Sequence, residues 1–384
     1  MIRVLRDERG MALAVAIFAL VVAGALIAGA FFAGTQEQRV GQNSLRVQQS
    51  FGVGEAAINE VVRNWNPQIY NALPIYPADS FVFAPVLSGG GTGSYTGVIR
   101  KLNSNLYMVD VTGRDRASAA GQAFGSGARQ RLGWLMRVRL LDVAVGASLT
   151  TQGDVKLVGN AYVDGNNWIP DGWTGSICDN TDPGVAGIRE PDTAVVQQSG
   201  PHVSGYPPVL KDPTVADSTF TQFGDVTYNE LAAAATIQLP GGNYKSFPTW
   251  SGTTCDRTNP TNWGDGLNPA GVCGSYWPII HISGDATMNG DQGQGILLVD
   301  GDLSIQGSYQ FYGLVIIRGT LSTAGGGSTE AHFWGGVMAQ NATLNLNSLS
   351  GHATLNYSKC AILTALNMTG IVAPERSRGW SQLY

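Results

Sequence analysis

An uncharged segment near the N-terminus is the strongest pattern of apolar and polar positions in the sequence. It runs for 24 residues from Met11 to Gly34 and follows a short segment that carries Arg3, Arg6 and Arg9. As an α-helix it would be roughly 36 Å long, enough to cross a bilayer core of about 30 Å. The pattern predicts a transmembrane helix over 11–34, and the preceding arginines predict a cytoplasmic N-terminus.

The pattern becomes amphipathic after this segment, with no proline between the two parts. At about 100° per residue the apolar positions lie within one narrow helical stripe: Val40, Val47, Phe51, Ile58, Val62 and Trp65. We therefore predict that the helix continues over 35–66. It should end near Asn66, because Pro67 disfavours a helical conformation at the residue before it. Gly41, Gly52 and Gly54 are positions where it could bend.

Two other interpretations of the N-terminus compete with this one. A cleaved secretory signal peptide has an apolar region of about 7–15 residues that ends at a small-residue cleavage site. The segment here is longer and continues into an amphipathic helix, which argues against a signal peptide. A simple membrane anchor followed by a stalk remains an alternative.

Three segments with the alternation of half-buried strands follow a loop rich in Pro, Gly and Ser. They are 95–100, 106–112 and 132–143. In the last segment, Trp134, Met136 and Val138 alternate with Arg137 and Arg139. The alternation predicts a small antiparallel sheet over 67–142, packed on the C-terminal half of the long helix.

Short apolar segments separated by Gly or Asn turns recur over 143–365. Gly284, Gly301 and Gly319 are 17 and 18 residues apart, and Asn341 follows 22 residues later. Strands that recur at this period without helices are typical of a parallel β-helix, whose interior is packed side chains. We predict a right-handed parallel β-helix, with an earlier rung at 147–165.

The predicted rungs are interrupted at 166–278, a segment rich in Trp, Pro and Gly that carries three of the four cysteines. An even number of widely spaced cysteines in an exported chain predicts disulfides. Four cysteines allow three pairings. We favour Cys255–Cys273, which encloses 17 residues, together with Cys178–Cys360.

The predicted fold class is α+β: a long transmembrane and amphipathic helix, a small antiparallel sheet and a β-helix. The predicted domains are a leader at 1–10, helix at 11–34 and 35–66, the sheet at 67–142, the β-helix at 143–365 with its insert, and a C-terminal cap at 366–384. The net charge of −5 argues against a nucleic-acid partner. Charged residues are only 13% of the chain and glycine contributes 51 residues, which suits strands and turns outside the cytoplasm.

Asp300 and Asp302 form the strongest candidate for a chemical site. Carboxylates on one face of a β-helix could bind Ca²⁺ or contact a glycan. The simpler interpretation, which we favour, is that these aspartates cap a turn. The four histidines are scattered without metal-ligand spacing, and we expect no metal site, no cofactor other than Ca²⁺, and no enzymatic activity.

Two polar blocks and a short leader resemble the PilX-type minor pilins of the type IV prepilin family. The leader ends in Arg9-Gly10-Met11. The first block is Thr35-Gln36-Glu37-Gln38-Arg39 followed by Asn43, and the second is Ser50-Phe51-Gly52-Val53-Gly54-Glu55-Ala56-Ala57. The resemblance covers residues 1 to about 65, with a weaker one from residue 297 to Trp380.

The resemblance implies that a prepilin peptidase cuts between Gly10 and Met11. It also implies that the helix holds the chain in the inner membrane before assembly, and that it then contacts other pilin subunits in a periplasmic or extracellular filament. Glu37, Arg39, Asn43 and Glu55 would be family-like positions of that helix.

One departure from the family concerns the fifth position after the implied cleavage site. In the family that this sequence resembles, major pilins typically carry Glu at that position, whereas this sequence has Val15. A carboxylate inside a bilayer is costly and is usually kept for a partner. A subunit that lacks it is similar to minor pilins and to the tip pseudopilin of type II secretion, which implies a place near the filament tip.

Two functional hypotheses follow. The first is a structural or adhesive minor pilin or pseudopilin of a type IV pilus or type II secretion-like filament. The second is a membrane-tethered envelope β-helix protein that binds or cleaves polysaccharide. The aromatic residues of the insert favour contact with a protein or glycan on the cell surface, although they could equally bury one another.

Overall fold

The computed structural model describes residues 9–71, 73–76, 81–83, 93–115, 128–139, 141, 143–174, 178, 181–198, 202–324, 331–341, 347–349, 352–369, 371–374 and 380–383. The chain divides into two units. The first comprises Met1–Trp65, Pro74–Met136 and Pro374–Tyr384. The second comprises Asn66–Leu73 and Arg137–Ala373.

The elements are numbered in chain order. The helices are α1 Arg9–Arg63, α2 Pro67–Tyr70, α3 Asp217–Thr221, α4 Tyr228–Ala233 and α5 Lys359–Met368. The strands are β1 Phe81–Phe83, β2 Gly93–Lys101, β3 Leu106–Asp115, β4 Arg129–Arg139, β5 Ala147–Thr151, β6 Val155–Leu157, β7 Tyr162–Asp164, β8 Ala186–Glu190, β9 Val196–Gln198, β10 Val203–Ser204, β11 Val209–Lys211, β12 Gln222–Phe223, β13 Val226–Thr227, β14 Ile237–Ser246, β15 Trp250–Ser251, β16 Thr254–Cys255, β17 Ile279–Val299, β18 Leu303–Gln306, β19 Tyr309–Ile317, β20 Leu321–Ala324, β21 Ala331–Ala339, β22 Asn347–Leu349, β23 Thr354–Tyr357, β24 Ile371–Pro374 and β25 Trp380–Leu383.

Helix α1 is the main element of the first unit, and it is continuous over 55 residues, through the three glycines that were named as possible bends. Residues 13–49 are exposed apart from the half-buried Thr35 and Arg46. From Ser50 onward one side of the helix packs on β2 and β3. The single helix therefore has an exposed N-terminal part and a C-terminal part that belongs to a folded module.

The buried side of α1 differs from the apolar stripe that the sequence predicted. The positions at helical spacing that are buried are Ser50, Val53, Gly54, Ala57, Ile58 and Val61. Of the predicted stripe, Ile58 is buried and Phe51, Val62 and Trp65 are half-buried, whereas Val40 is 67% exposed and Val47 is 41% exposed. The helix is turned so that its small residues face the sheet, which can then approach closely.

The small sheet has the antiparallel pairs β1–β2, β2–β3 and β4–β25, with β4 beside β3. Tyr107, Val109 and Val111 of β3 are buried. Asp110, on the other side of β3, is paired with Arg100 and Arg131. Hydrogen bonding from Arg131 lowers the pKa of the Asp110 carboxyl. The sheet thus has an apolar side towards α1 and an ion-paired side away from it.

Two boundaries of the predicted domains change. Strand β4 ends at Arg139 and not at residue 143, because Leu141 and Val143 pack in an apolar cluster with Phe220 and Leu231. The C-terminal segment was expected to cap the β-helix. Strand β25 instead pairs with β4, which gives the edge of β4 a partner.

The second unit is built on a curled sheet of 15 strands whose described pairs are parallel. One line of pairing runs β14–β17–β19–β21–β5–β8–β11. A second runs from β17 through β18, β20, β22, β6 and β9, and a third joins β21, β23, β7 and β10.

The predicted spacing matches the observed register. Ala286 lies beside Leu303, which lies beside Leu321. At the turn, the Gly301 N–H donates to the Gly284 carbonyl at 3.2 Å, and Gly319 donates to Gly301 at 3.1 Å. The Asn341 N–H completes the series by donating to Gly319 at 3.0 Å. The recurrent Gly and Asn positions therefore form one stack of turns.

A second stack of glycines bends the strands. Gly295, Gly313 and Gly335 are in register within β17, β19 and β21, and their φ values are 110°, 132° and 143°. Side chains disfavour this region of φ. The three strands therefore continue through the bend, and β21 pairs with β23 up to the bend and with β5 after it.

Apolar side chains fill both sides of the strands beyond this bend. Leu297 and Val299 belong to the cluster inside the curl, whereas Ile296 and Leu298 belong to an outer cluster with Phe220, Leu231 and Ala365 of α3, α4 and α5. Burial on both faces explains why the sequence is continuously apolar here.

The segment 166–278 is not wholly an insert. It contributes β8, β9, β10, β11 and β14 to the parallel sheet. Strand β5 lies between β21 and β8, so the early rungs stack beyond the late ones. These strands were missed because most of them have only two to five residues and their neighbours in the sheet are distant in sequence.

Candidate functional site

The exposed part of α1 is the first candidate functional surface. Its side chains are apolar and solvent-exposed over more than twenty residues, including Leu20 at 74%, Phe31 at 76% and Phe32 at 65% exposure. The helix is long and apolar enough to cross a membrane, with a mean hydropathy of 2.6 in its most apolar window. An exposed apolar surface of this length is typical of a segment that lipid or another protein covers.

The site residues predicted on this helix are distributed along it. Gly10 and Met11 lie in the first turns of α1, and residues 1–8 of the predicted leader lie outside the described residues. Val15 is 66% exposed within the apolar part. Glu37, Arg39, Asn43 and Glu55 are all exposed. Polar side chains thus begin just after the apolar part and continue to the start of the sheet-packed part.

The two aspartates of the Asp300-Gly301-Asp302 turn point to different partners. Asp302 Oδ1 accepts from the backbone N–H of Thr320 at 2.7 Å, and the Asp302 N–H donates to Asp285 Oδ1 at 2.9 Å. Asp285 and Asp302 therefore each cap the neighbouring turn of the stack. The structure does not bring Asp300 and Asp302 together as one carboxylate site.

Asp300 instead lies in a small pocket beside α4. Tyr228 donates its hydroxyl hydrogen to Asp300 Oδ1 at 2.8 Å, and His281 Nε2 lies 3.1 Å from Asp300 Oδ2. Gln238 contacts the other ring nitrogen of His281 at 2.8 Å, and the Arg318 guanidinium lies over the Tyr228 ring. Burial, followed by the charge of Asp300, raises the pKa of the Tyr228 hydroxyl. This network fastens α4 to the sheet.

No group of three or more His, Cys, Asp or Glu side chains that could hold a metal ion occurs among the described residues. The four cysteines form two disulfides, Cys178–Cys360 and Cys255–Cys273, which is the pairing that the sequence analysis favoured. The first joins the loop after β7 to the start of α5, and the second closes the loop before β17.

A concavity beside the Cys255–Cys273 disulfide was not located by the sequence analysis. It is formed by the β15–β16 hairpin and has a volume of about 750 Å³. Trp250, at its rim, is 55% exposed. The aromatic content of the segment was a signal that could have suggested a contact site, but the geometry depends on the fold.

Comparison with known proteins gives no family assignment. No family model and no curated protein matches the sequence. Solved structures similar to this chain include the competence-associated pilin ComZ from Thermus thermophilus, with 11% identity, a TM-score of 0.23, and coverage of 88% of this chain and 98% of that chain. A glycosylated ice-binding protein (LeIBP) from an Arctic yeast has 13% identity, a TM-score of 0.23, and coverage of 58% of this chain and 95% of that chain. At these TM-scores neither likeness supports a conclusion.

Proposed function

We propose that this chain is a minor pilin or pseudopilin of a type IV pilus or type II secretion-like filament, with a structural or adhesive role. The observation that carries the proposal is the division of α1. Its first part is apolar and exposed, and the same continuous helix then packs its small residues against an antiparallel sheet. An exposed apolar helix with a folded module at its far end suits insertion first in a membrane and then among other helices.

The proposed partners follow from this division. Before assembly the apolar part lies in the inner membrane, with the arginines of the leader in the cytoplasm. A prepilin peptidase then removes the leader after Gly10, and the helix contacts other pilin subunits in a periplasmic or extracellular filament. The proposal includes a position near the tip, supported by Val15 in place of a carboxylate, and it assigns the chain no catalytic role.

The proposed form of the second unit is a right-handed parallel β-helix that projects from the filament. Three lines of parallel pairing support it, because the first line shares strands with each of the other two. One apolar cluster draws on strands of all three lines, including Leu149, Leu157 and Val163. Such a body suits a structural or adhesive role, because its strands pack around one shared apolar cluster.

The first experiment determines the N-terminal residue of the full chain, produced with and without an active prepilin peptidase. We expect a start at Met11 only when the peptidase is active. Gly10→Val should keep the leader, because the residue before the cut is changed. Gly24→Val, in the same helix with open space around the glycine, is the matched control and should still be processed.

Two results would contradict the pilin proposal. One is an intact Met1 in the presence of the active peptidase. The other is cleavage near Ala33-Gly34 by signal peptidase. Either would favour a membrane-tethered envelope protein that binds or cleaves polysaccharide. The tip position is tested separately by antibody labelling of filaments, since labelling along the whole shaft at the abundance of a major pilin would contradict that part alone.

A further inference from the structure

The concavity formed by the β15–β16 hairpin is lined mostly by hydroxyl-bearing residues and by one exposed indole. We name it the Trp250 concavity. Its lining residues are Thr249, Trp250, Ser251, Thr253, Thr254, Cys255, Asp256, Arg257, Thr258, Val272 and Ser275. Its volume of about 750 Å³ falls within the range of small-molecule binding clefts, about 300–1,000 Å³.

The walls of the Trp250 concavity are held in place by covalent and buried contacts. Trp250 pairs with Cys255 across the hairpin, and Cys255 is bonded to Cys273. Asn262, which is fully buried, donates from Nδ2 to the carbonyl oxygens of Thr249 at 3.0 Å and Asp256 at 2.6 Å. Gly252, with a φ of 58°, begins the two-residue turn of the hairpin. The site is therefore preorganised, which lowers the entropy cost of binding.

The indole of Trp250 is one of several large apolar side chains of the second unit that are exposed, and Phe247 and Leu267 are exposed in the same part of the sequence. The exposed fraction of Trp250 is 55%, whereas Trp263, 13 residues further on, is 1% exposed. The flat face of an exposed indole can stack on the apolar face of a ligand ring, and its N–H remains available as a donor. The side chain is thus positioned for a ligand that has both a flat apolar face and polar edges.

The two charged residues of the lining, Asp256 and Arg257, already have partners within the protein. Asp256 Oδ1 already accepts from the Thr258 N–H at 3.0 Å and from the Thr258 hydroxyl at 2.6 Å. The Arg257 guanidinium lies 5.3 Å from the centre of the Tyr276 ring. The remaining polar groups are mainly threonine and serine hydroxyls, which both donate and accept. This arrangement suits a ligand rich in hydroxyl groups better than a strongly charged one.

We propose that the Trp250 concavity binds a β-linked saccharide of gluco configuration, with one sugar ring stacked on the indole of Trp250. In this configuration the ring hydroxyls are equatorial, so both ring faces present C–H groups to an aromatic side chain while the hydroxyls lie at the edges. The ring hydroxyls would exchange hydrogen bonds with the hydroxyl groups of the walls. The proposal names a ligand class for the adhesive role proposed above. Its biological significance rests on that role.

A protein partner is a different proposal, and the observations favour it less. The centres of protein interfaces are enriched in apolar and aromatic side chains and Arg. The Trp250 concavity instead has six threonine or serine residues in its lining and only one large apolar side chain besides Val272. An open, hydroxyl-lined depression of this size fits one or two sugar rings.

The test uses the full chain in detergent, with both disulfides verified by mass spectrometry. Saturation-transfer difference NMR measures binding of cellotetraose and N-acetylchitotetraose. We expect saccharide signals with the wild-type chain for at least one of the two. Trp250→Ala should weaken binding about tenfold or more, because both the apolar area that the indole buries against the sugar ring and its stacking contact are lost. Trp250→Phe should retain part of the affinity.

Trp168→Ala is the matched control, because Trp168 is also well exposed, at 48%, but lies outside the concavity. It should bind like the wild type. Absence of a signal for both saccharides with the wild-type chain would overturn the proposal, as would an equal loss in Trp168→Ala and Trp250→Ala. Capture of a protein at this surface without any saccharide signal would also count against it. Because no filament is needed, a negative result here leaves the processing experiment unaffected.

Discussion

Gly113 of β3 lies directly against Gly54 of α1. A Cβ atom on Gly113 would be 2.3 Å from the Ser50 carbonyl oxygen and 2.7 Å from the Gly54 nitrogen. Both neighbours belong to the helix backbone, which cannot move aside as a side chain can. The pair of glycines therefore sets how closely the long helix packs on the small sheet.

Gly113→Ala should consequently destabilise the first unit. Overpacking typically costs about 1–3 kcal/mol, and we expect the upper part of that range because the clash is with backbone. The measurement is the denaturant midpoint of the full chain in detergent, followed by limited proteolysis between α1 and β3.

Two glycines of α1, Gly54 and Gly52, serve as graded controls for Gly113→Ala. Gly54→Ala should cost less than Gly113→Ala, because its closest contact is the flexible side chain of Leu132 at 2.7 Å. A Cβ atom at Gly52 would have no other atom within 4 Å. Gly52→Ala should therefore be neutral or should stabilise the fold by up to about 1 kcal/mol, since Ala has the higher helix propensity. Equal effects of all three substitutions would contradict the close packing.

The bend of the parallel sheet depends on Gly313 in the same way. Its φ is 132°, and a Cβ would lie 2.2 Å from the Gly295 carbonyl oxygen in the neighbouring strand. We expect Gly313→Ala to cost at least about 2 kcal/mol, from backbone strain and overpacking together. The free energy of unfolding of the second unit, followed by near-UV circular dichroism, measures the loss.

Gly146→Ala provides the comparison within the same unit. The nearest atoms to its Cβ would be those of the Arg189 side chain at 3.6 Å, an ordinary contact. Its effect on stability should be small. A Gly313→Ala variant as stable as Gly146→Ala would show that the glycine stack is not required for the bend.

The side chain of Asp302 should contribute to the stability of the second unit and not to any catalytic activity. Asp302→Ala removes the acceptor of the Thr320 N–H, and the loss of a hydrogen bond to a charged group that is partly exposed costs about 1–2 kcal/mol. Asp302→Asn keeps an oxygen at that position and should retain most of the stability. The thermal midpoints of the two variants give the comparison.

An assay for released reducing sugar completes this prediction. We expect none from the wild-type chain with alginate, cellulose or peptidoglycan-derived glycans. Sugar release that disappears in Asp300→Ala or Asp302→Ala would contradict the assignment of both residues to structural contacts and favour an enzyme.

Acid should destabilise the second unit through Asp212 and Glu230. Hydrogen bonds from Thr214, followed by Arg189, lower the pKa of Asp212 to about 2, and the Thr227 N–H together with Arg139 lowers that of Glu230 to about 2. In the unfolded chain the ordinary values are 3.8 and 4.5. As the pH falls from about 5 to 2, the unfolded state takes up protons that the folded state does not, so stability is lost over that window.

The urea midpoint at pH 5 and pH 3 measures this loss. Asp212→Asn removes one of the two groups, and its midpoint should fall less on acidification than that of the wild type. Asp192→Asn, an exposed carboxyl of the same unit, serves as the matched substitution. A fall of equal size in the wild type and in Asp212→Asn would exclude a role for Asp212.

The sequence predicted those features that depend on a local period or on composition. The uncharged run corresponds to the apolar first part of α1, which is exposed. The 17- and 18-residue spacing corresponds to the register of Ala286, Leu303 and Leu321. The second stack, Gly295, Gly313 and Gly335, has nearly the same spacing and was missed. These three glycines lie within apolar strands, where the sequence alone does not show that the strand bends.

The remaining features depend on contacts between residues far apart in the chain. The side of α1 that is buried is decided by Gly113, 59 positions beyond Gly54. The order of the rungs is decided by β5, which pairs with β21 and β8. The Trp250 concavity exists because the Cys255–Cys273 disulfide and Asn262 hold the hairpin.

By itself, then, the sequence determined where the chain is apolar enough for a membrane, where strands alternate and how far apart repeated turns lie. Hydrophobic periodicity carries this information because each residue type favours one environment and one local conformation. Which helix face is buried, which rung neighbours which, and which polar groups converge were decided only by the tertiary structure. These depend on the closeness of backbones and on long-range pairing, neither of which leaves a periodic trace in the sequence.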